Sequence, residues 1–225
     1  MSRPSVAVVT GGGPLGGAAA RAAALCSVII AADSGAGHAL DAGLPVHHVV
    51  GDLDSIPASV LAAVEGAGAA VHRHPSDKDE TDLELALDLA ISLEPDALVV
   101  VGGAGGRLDH LLANVAVLGP VAVALGAHAP VEAWYGGSRL AIAVPARSVS
   151  VGGAPGSLVT LLALHGPAHG VRTVGLRWQL DGDALEPGVA RGVSNELTGA
   201  TAGVAVDGGI VTVIQPEAEH LGDTH

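Results

Sequence analysis

The stretch Val49-Val50-Gly51-Asp52-Leu53-Asp54-Ser55, with its sequel Asp77-Lys78-Asp79-Glu80-Thr81-Asp82, decides how the rest of the chain is read. Each acidic cluster follows an apolar run and precedes a helix-like pattern. In an open α/β sheet, ligands bind beyond the carboxyl ends of the strands, at such strand-to-helix turns. Carboxylates gathered there repel one another and are costly to desolvate unless positive charge sits among them. A hard divalent cation such as Mg²⁺ meets that need, and a phosphate ligand is the simplest reason to hold one.

Working outward, Ser5 to Thr10 reads as a buried strand, followed by a Gly-rich turn and an Ala-rich helix from Gly17 to Leu25. Strands are expected at Ser27 to Ala32, His48 to Val50, Ala69 to His74 and Ala97 to Val101, with a sixth at Val121 to Leu125. Between Asp82 and Ile91, the positions Leu83, Ala86, Leu87, Ala90 and Ile91 follow the i, i+3, i+4, i+7, i+8 pattern of an amphipathic helix. Strands alternating with helices predict an α/β N-terminal domain, Rossmann-like, with a mostly parallel sheet and helices on both faces. After about Ala129 the apolar runs shorten and turn residues multiply. A C-terminal all-β sandwich domain is expected there. Within it, Val204 to Val206, Asp207-Gly208-Gly209 and Ile210 to Ile214 read as a hairpin. The expected division is residues 1–129 and 130–225, with a loose tail from Glu217.

Composition removes several classes of function. Only Trp134, Tyr135 and Trp178 are aromatic, too few for a base-stacking platform. A formal charge of −13 also opposes nucleic-acid binding. Thirteen of the 23 Asp and Glu residues lie between Asp33 and Asp96. The single Cys26 forbids an internal disulfide and reads as a buried structural thiol. The longest apolar run, Leu111 to Ala127, is broken by Asn114, Gly119 and Pro120, so no membrane span is expected. The N-terminus enters a strand without signal-peptide layout, and a cytoplasmic protein is the expectation.

Several motifs admit two readings. Gly11-x-Gly13-x-x-Gly16, with Asp33 ending the next strand, fits a dinucleotide fingerprint and would suit a Rossmann NAD(P)-dependent oxidoreductase. The plainer reading is a tight strand-to-helix turn. A P-loop is excluded, because Lys78 is the only lysine and has the wrong context. Asp52 and Asp54, like Asp77 and Asp79, are two residues apart and in extended backbone share a face. Asp79 could instead cap the following helix, with Thr81 and Asp82 in its first turn. Gly102-Gly103-Ala104-Gly105-Gly106-Arg107-Leu108-Asp109-His110 lets backbone approach a phosphate and adds a planar cation; its plain alternative is an Arg107–Asp109 ion pair. His110 and Asn114 sit one helical turn apart. No histidine pair has a zinc-like context. Trp178 defaults to core, with an aromatic ligand stacking on it as the alternative and Ser194-Asn195 as hydrogen-bonding candidates.

Taken in order, the motifs Ala32-Asp33-Ser34-Gly35-Ala36, Gly51-Asp52-Leu53-Asp54-Ser55-Ile56, Asp77-Lys78-Asp79-x-Thr81-Asp82 and Gly102-Gly103-x-Gly105-Gly106-Arg107-x-Asp109-His110 resemble the thiamine pyrophosphokinase family. Gly175-Leu176-Arg177-Trp178-x-Leu180 and Gly192-Val193-Ser194-Asn195 are similar to its thiamine-binding β-domain. Leu53 stands where the family commonly has Phe, and Gly11-Gly12-Gly13 where an Asn-Gly turn is usual. The resemblance implies transfer of the diphosphate of Mg-ATP to the hydroxyl of thiamine, giving thiamine diphosphate and AMP. A diphosphokinase for another alcohol, such as a pterin, would share the N-terminal motifs. The resemblance further implies Asp52, Asp54, Asp77, Asp79 and Asp82 as Mg²⁺ ligands or hydroxyl-orienting groups, with Asp54 and Asp79 as candidate bases. It casts Arg107 as neutralising phosphate charge. Asp33, Gly35, Asp52, Thr81, Gly103, Gly106, Asp109 and His110 fall to the nucleotide. Trp178, Ser194 and Asn195 fall to thiamine. A homodimer is implied as well.

Overall fold

A computed structural model describes residues 3–218. The chain divides into two compact units. One runs to Asn114 and includes Ala133–Gly136; the other holds Val115–Glu132 and the chain from Gly137. The architecture is mixed α/β with a separate β-rich region.

In the first unit, strands and helices alternate: β1 (Ser5–Val9), α1 (Gly17–Ala24), β2 (Val28–Ala32), α2 (Gly35–Asp41), β3 (His48–Gly51), α3 (Ala58–Gly66), β4 (Ala70–Arg73), α4 (Asp82–Ser92), β5 (Ala97–Gly102) and α5 (Leu108–Ala116). The sheet order is β5-β1-β2-β3-β4, and every pairing in it is parallel. The near-continuous Val, Ile and Ala runs of β1 and β2 are buried almost throughout, as strands covered on both faces must be. With no Phe available, the core is aliphatic: Val9, Ile29, Ala31, Val49 and Val101 pack with Ala19, Ala36 and Val64 of the helices. Helix α4 turns Leu83, Ala86, Leu87 and Ala90 inward, the face its periodicity predicted. Parallel connections bring the carboxyl ends of β1, β2, β3 and β5 to one edge, and the acidic and glycine-rich turns follow those ends.

The second unit contains helix α6 (Leu118–Leu125), so it is not entirely β. The expected strand at Val121 to Leu125 is this helix. Beside Gly119, its buried residues Leu118, Val121, Ala122 and Leu125 fall at i, i+3, i+4 and i+7, and Pro120 sits in the first turn, where no backbone donor is lost. The valines suggested a strand, but the spacing of buried positions is helical. Together Leu108–Leu125 reach 18 residues at mean hydropathy 1.7 with 28% of them buried, long and apolar enough to cross a membrane by length and composition alone, where the sequence suggested no span; core helices pass the same test.

The strands that follow are β6 (Val131–Tyr135), which carries residues of both units, β7 (Ser138–Ala143), β8 (Val149–Gly152), β9 (Leu158–Leu162), β10 (Ala168–Val174), β11 (Asp181–Leu185), β12 (Asn195–Glu196), β13 (Thr201–Ala205) and β14 (Val211–Gln215). One antiparallel set has the order β12-β9-β14-β7; the other is β11-β10-β13-β8. Val159, Leu161, Val211 and Val213 of the first meet Val151, Val171, Leu185 and Val204 of the second in one core. The expected hairpin across Asp207-Gly208-Gly209 does not form. Strand β13 pairs with β10 and β8, whereas β14 pairs with β7 and β9. The turn is a crossover between sheets. Gly209 takes φ +81, and a Cβ there would lie 2.3 Å from the carbonyl oxygen of Pro167. Beyond Ala218 the expected tail lies outside the described residues.

Candidate active site

A cleft of about 460 Å³ opens in the first unit, lined by Thr10, Gly11 and Gly12 after β1, Asp33 and Ser34 after β2, Lys78, Glu80, Thr81, Asp82 and Leu83 before and within α4, and Gly103, Gly105, Gly106, Arg107 and His110 after β5. Its floor is a contact between two glycine loops. Gly105 N–H donates to Gly12 O at 2.9 Å. A Cβ on Gly103 would stand 2.3 Å from Gly12 O, and one on Gly12 2.7 Å from Gly103 O. Only glycine lets these backbones meet, and their bare amides border the cleft. Gly35 serves packing: its Cβ would fall 2.1 Å from Val9 O, so α2 starts hard against β1.

Three carboxylates converge at the acidic end. Ligand oxygens of Asp33, Asp52 and Asp82 lie within 4.8 Å of one another. Asp33 and Leu53 are held at positive φ, 43° and 67°, so the chain turns sharply as it leaves β2 and β3. Asp33 Oδ1 is buried without a hydrogen-bond partner. Burial pushes the Asp33 carboxyl above its ordinary value, Asp82, Asp52 and Asp54 add to the rise, and the Ser34 N–H opposes it. Asp52 is held below its ordinary value, chiefly because its Oδ1 accepts from Asp54 N–H at 3.1 Å. The single lysine enters this group: Lys78 Nζ lies 2.9 Å from Asp82 Oδ1 and 4.0 Å from Asp52 Oδ2. Its close pairing with Asp82 is the main cause holding the ammonium above its ordinary pKa, although Asp82 Oδ1 has no partner at hydrogen-bond angles.

Other candidates are placed differently. Asp54, Asp77 and Asp79 lie outside the three-carboxylate group. Asp54 is exposed and accepts from Ser55 Oγ at 2.9 Å. Helix α4 is capped by Thr81, not Asp79. Thr81 Oγ1 accepts from Glu84 N–H at 3.2 Å and Glu84 Oε2 accepts from Thr81 N–H at 2.8 Å, a capping box. The Thr81 hydroxyl also donates to Glu84 at 2.9 Å. Arg107 and Asp109 form a two-point pair at 3.1 and 2.6 Å on an exposed rim, and Arg107 chiefly pushes the Asp109 carboxyl down to about 2. Asn114 Nδ2 reaches Thr10 Oγ1 at 3.4 Å.

In the second unit, Trp178 is 53% exposed, which corrects the core expectation. The Arg177 guanidinium lies 4.8 Å from its ring centroid and pairs with Glu196 at 2.9 Å. Asn195 is buried, and its side chain is spent on backbone: Oδ1 accepts from Trp178 N–H at 3.0 Å and Nδ2 donates to Trp178 O at 2.7 Å. It fixes the tryptophan's backbone. Ser194 is exposed at φ 57°, with its N–H donating to Thr160 Oγ1 at 3.1 Å.

Residues 20–124 match a model described as "Thiamin pyrophosphokinase, catalytic domain", and residues 147–211 match "Thiamin pyrophosphokinase, vitamin B1 binding domain". The chain belongs to the thiamin pyrophosphokinase family. It is 42% identical over 89 residues to thiamine pyrophosphokinase of Bacillus subtilis, covering 40% of this chain and 42% of that one. It is 24% identical over 186 residues to thiamine pyrophosphokinase 1 of Oryza sativa subsp. japonica, covering 74% and 64%. The chain thus spans less than two thirds of either curated relative in those alignments. A crystal structure of a thiamin pyrophosphokinase family protein from Enterococcus faecalis superposes with TM-score 0.77 at 25% identity, covering 94% of this chain and 98% of that one. The first model covers Asp33 to His110, hence the acidic triad and most of the cleft; the second covers Trp178, Ser194 and Asn195.

Sequence reasoning left Lys78, Ser34, Ser55, Ser76 and Glu80 out of the site, though all line the cleft. Lys78 carried a signal, being the only lysine and set between two aspartates. The serines carried none, because Ser is common at every turn.

Proposed function

We propose that this protein is an ATP:thiamine diphosphotransferase: the thiamine hydroxyl attacks the β-phosphorus of ATP, the β,γ-diphosphate is transferred, and AMP leaves. The single observation that carries the reading is the cleft that gathers glycine backbone, Arg107, Lys78, Asp33 and Asp82, the last two converging with Asp52, within a chain of this family. Phosphoryl transfer of this kind needs positioning and charge neutralisation more than covalent help from the protein.

The donor set fits Mg²⁺. Carboxylate oxygens within 4.8 Å, one of them buried without a partner on Asp33, are hard ligands for a hard cation. Asp33, Asp52 and Asp82 would hold it, and when bound it supplies charge neutralisation to the phosphates and polarises their oxygens. The backbone amides around Gly12, Gly103 and Gly106 cradle phosphate oxygens. Arg107 turns from Asp109 to the phosphates as charge develops on the bridging oxygen that leaves with AMP. His110 and Asp109 border the nucleotide. Asp54 or Asp79, both exposed, receives the thiamine proton, and Asp77 helps to hold the metal or to orient the hydroxyl. Trp178 offers a half-exposed ring for the thiamine rings, with Ser194 next to Asn195, which binds the Trp178 backbone.

We assign residues 1–129 to Mg-ATP and 130–225 to thiamine. We read the first as Rossmann-like with helices on both faces, on the support of its parallel pairings, and the second as a β-sandwich, on the support of two sheets sharing one core. The homodimer is proposed on the family resemblance, and the cytoplasmic location on the sequence reading of the N-terminus. AMP release that requires both Mg²⁺ and thiamine tests the reading. AMP formed only with another alcohol, such as a hydroxymethyl pterin, would keep the chemistry and replace the acceptor. Tight NAD(P) binding without metal would overturn both.

A further inference from the structure

Lys78 is the only lysine in the chain, and it is tucked into the most acidic part of it, its side chain 12% exposed. Its ammonium lies 2.9 Å from Asp82 and 4.0 Å from Asp52, two of the three carboxylates that converge with Asp33. A dication on those oxygens would sit about 2 Å from each. It and the ammonium would then be within a few ångströms of each other, a strongly repulsive distance away from bulk water. The ammonium and the dication therefore cannot both keep Asp82. Lys78 also lines the cleft with Gly12, Gly103 and Arg107, so an anion held there is within reach of its flexible four-carbon stem.

We propose that Lys78 is a built-in counter-ion of the triad, exchanging its place with the divalent cation when nucleotide phosphates give the ammonium another acceptor. This rests on the Mg-nucleotide part of the proposed function, not on thiamine as acceptor. The ammonium relieves repulsion among Asp33, Asp52 and Asp82 and keeps the triad a poor site for bare metal. Metal and nucleotide then bind as a coupled pair, because each removes an obstacle to the other.

The test is Mn²⁺ binding, read by electron paramagnetic resonance, with and without a non-hydrolysable ATP analogue. The wild type should bind Mn²⁺ weakly alone and far more tightly with the analogue. Lys78→Met should bind Mn²⁺ alone at least about tenfold more tightly than wild type, and the analogue should add little. Lys78→Arg should keep the wild-type pattern in direction. Because one lysine gives one side-chain resonance, ¹⁵N-lysine labelling of the wild type supplies a second reading that needs no variant. That resonance should move with Mg²⁺ plus analogue and stay nearly still with Mg²⁺ alone. Unchanged or weaker Mn²⁺ affinity in Lys78→Met, or a lysine resonance indifferent to the Mg²⁺–analogue pair, overturns the proposal. Thiamine turnover by the same preparation is scored separately: the expected Mn²⁺ pattern without turnover sinks the thiamine reading and leaves the exchange standing.

Discussion

At the scale of the residue, Asp33 carries the most tension. It sits at positive φ with a buried oxygen lacking a partner, and burial raises its pKa above 3.8. The folded chain therefore holds that proton to higher pH than the unfolded chain does. The associated stability is fully present below the unfolded value and is lost as pH rises through the folded one. At neutral pH without divalent ions, the ionised group opposes folding. Asp33→Asn keeps a residue type that tolerates positive φ and removes the charge. Its melting temperature at pH 7 without metal should exceed the wild type by a few degrees, and its Mn²⁺ affinity should collapse. A lower melting temperature would show that the carboxylate's repulsion is not what strains the site. Asn195 makes the opposite case. It was expected to meet a ligand, yet it ties down Trp178 N–H and C=O. Asn195→Ala should cost about 1–3 kcal/mol in chemical denaturation, with the loss independent of thiamine.

At the scale of the element, α4 is held by its first turn. Thr81→Ala removes the acceptor for Glu84 N–H and should cost about 1 kcal/mol, while Thr81→Ser should recover most of it. Equal stability of the two variants in urea would contradict the capping role. This helix was legible because periodicity and its acidic first turn agree. Its cap was not settled, since Asp79 and Thr81 are both good caps by type and only geometry separates them. Helix α6 was misread because valine-rich composition outweighed the spacing of Leu118, Val121, Ala122 and Leu125. The supposed hairpin at Asp207-Gly208-Gly209 shows the same limit. A Gly turn between apolar runs specifies a reversal, but which sheet takes the second strand is set by distant partners in β7 and β9.

At the scale of the whole molecule, the ordered set of acidic and glycine motifs gave the α/β unit and its family, because parallel topology sends those turns to one edge of the sheet. Convergence of Asp33 with Asp52 and Asp82, and the intrusion of Lys78, were not legible. They depend on how the backbone turns at Asp33 and Leu53, which spacing does not encode. For Trp178 the default by residue type was core, since aromatics are buried on average, whereas here the ring stands half exposed beneath Arg177. Trp178→Ala should therefore raise the KM for thiamine more than that for ATP while leaving the melting temperature within a degree or two. Equal KM changes would return the ring to a structural role.

The central claim is diphosphate transfer from Mg-ATP to thiamine, and a ³¹P NMR time course of the full-length protein with ATP, Mg²⁺ and thiamine tests it most directly. AMP and thiamine diphosphate should appear together and at equal rates, with no signal growth when thiamine is omitted. Formation of ADP with a thiamine monoester, or AMP released at the same rate without thiamine, would contradict it.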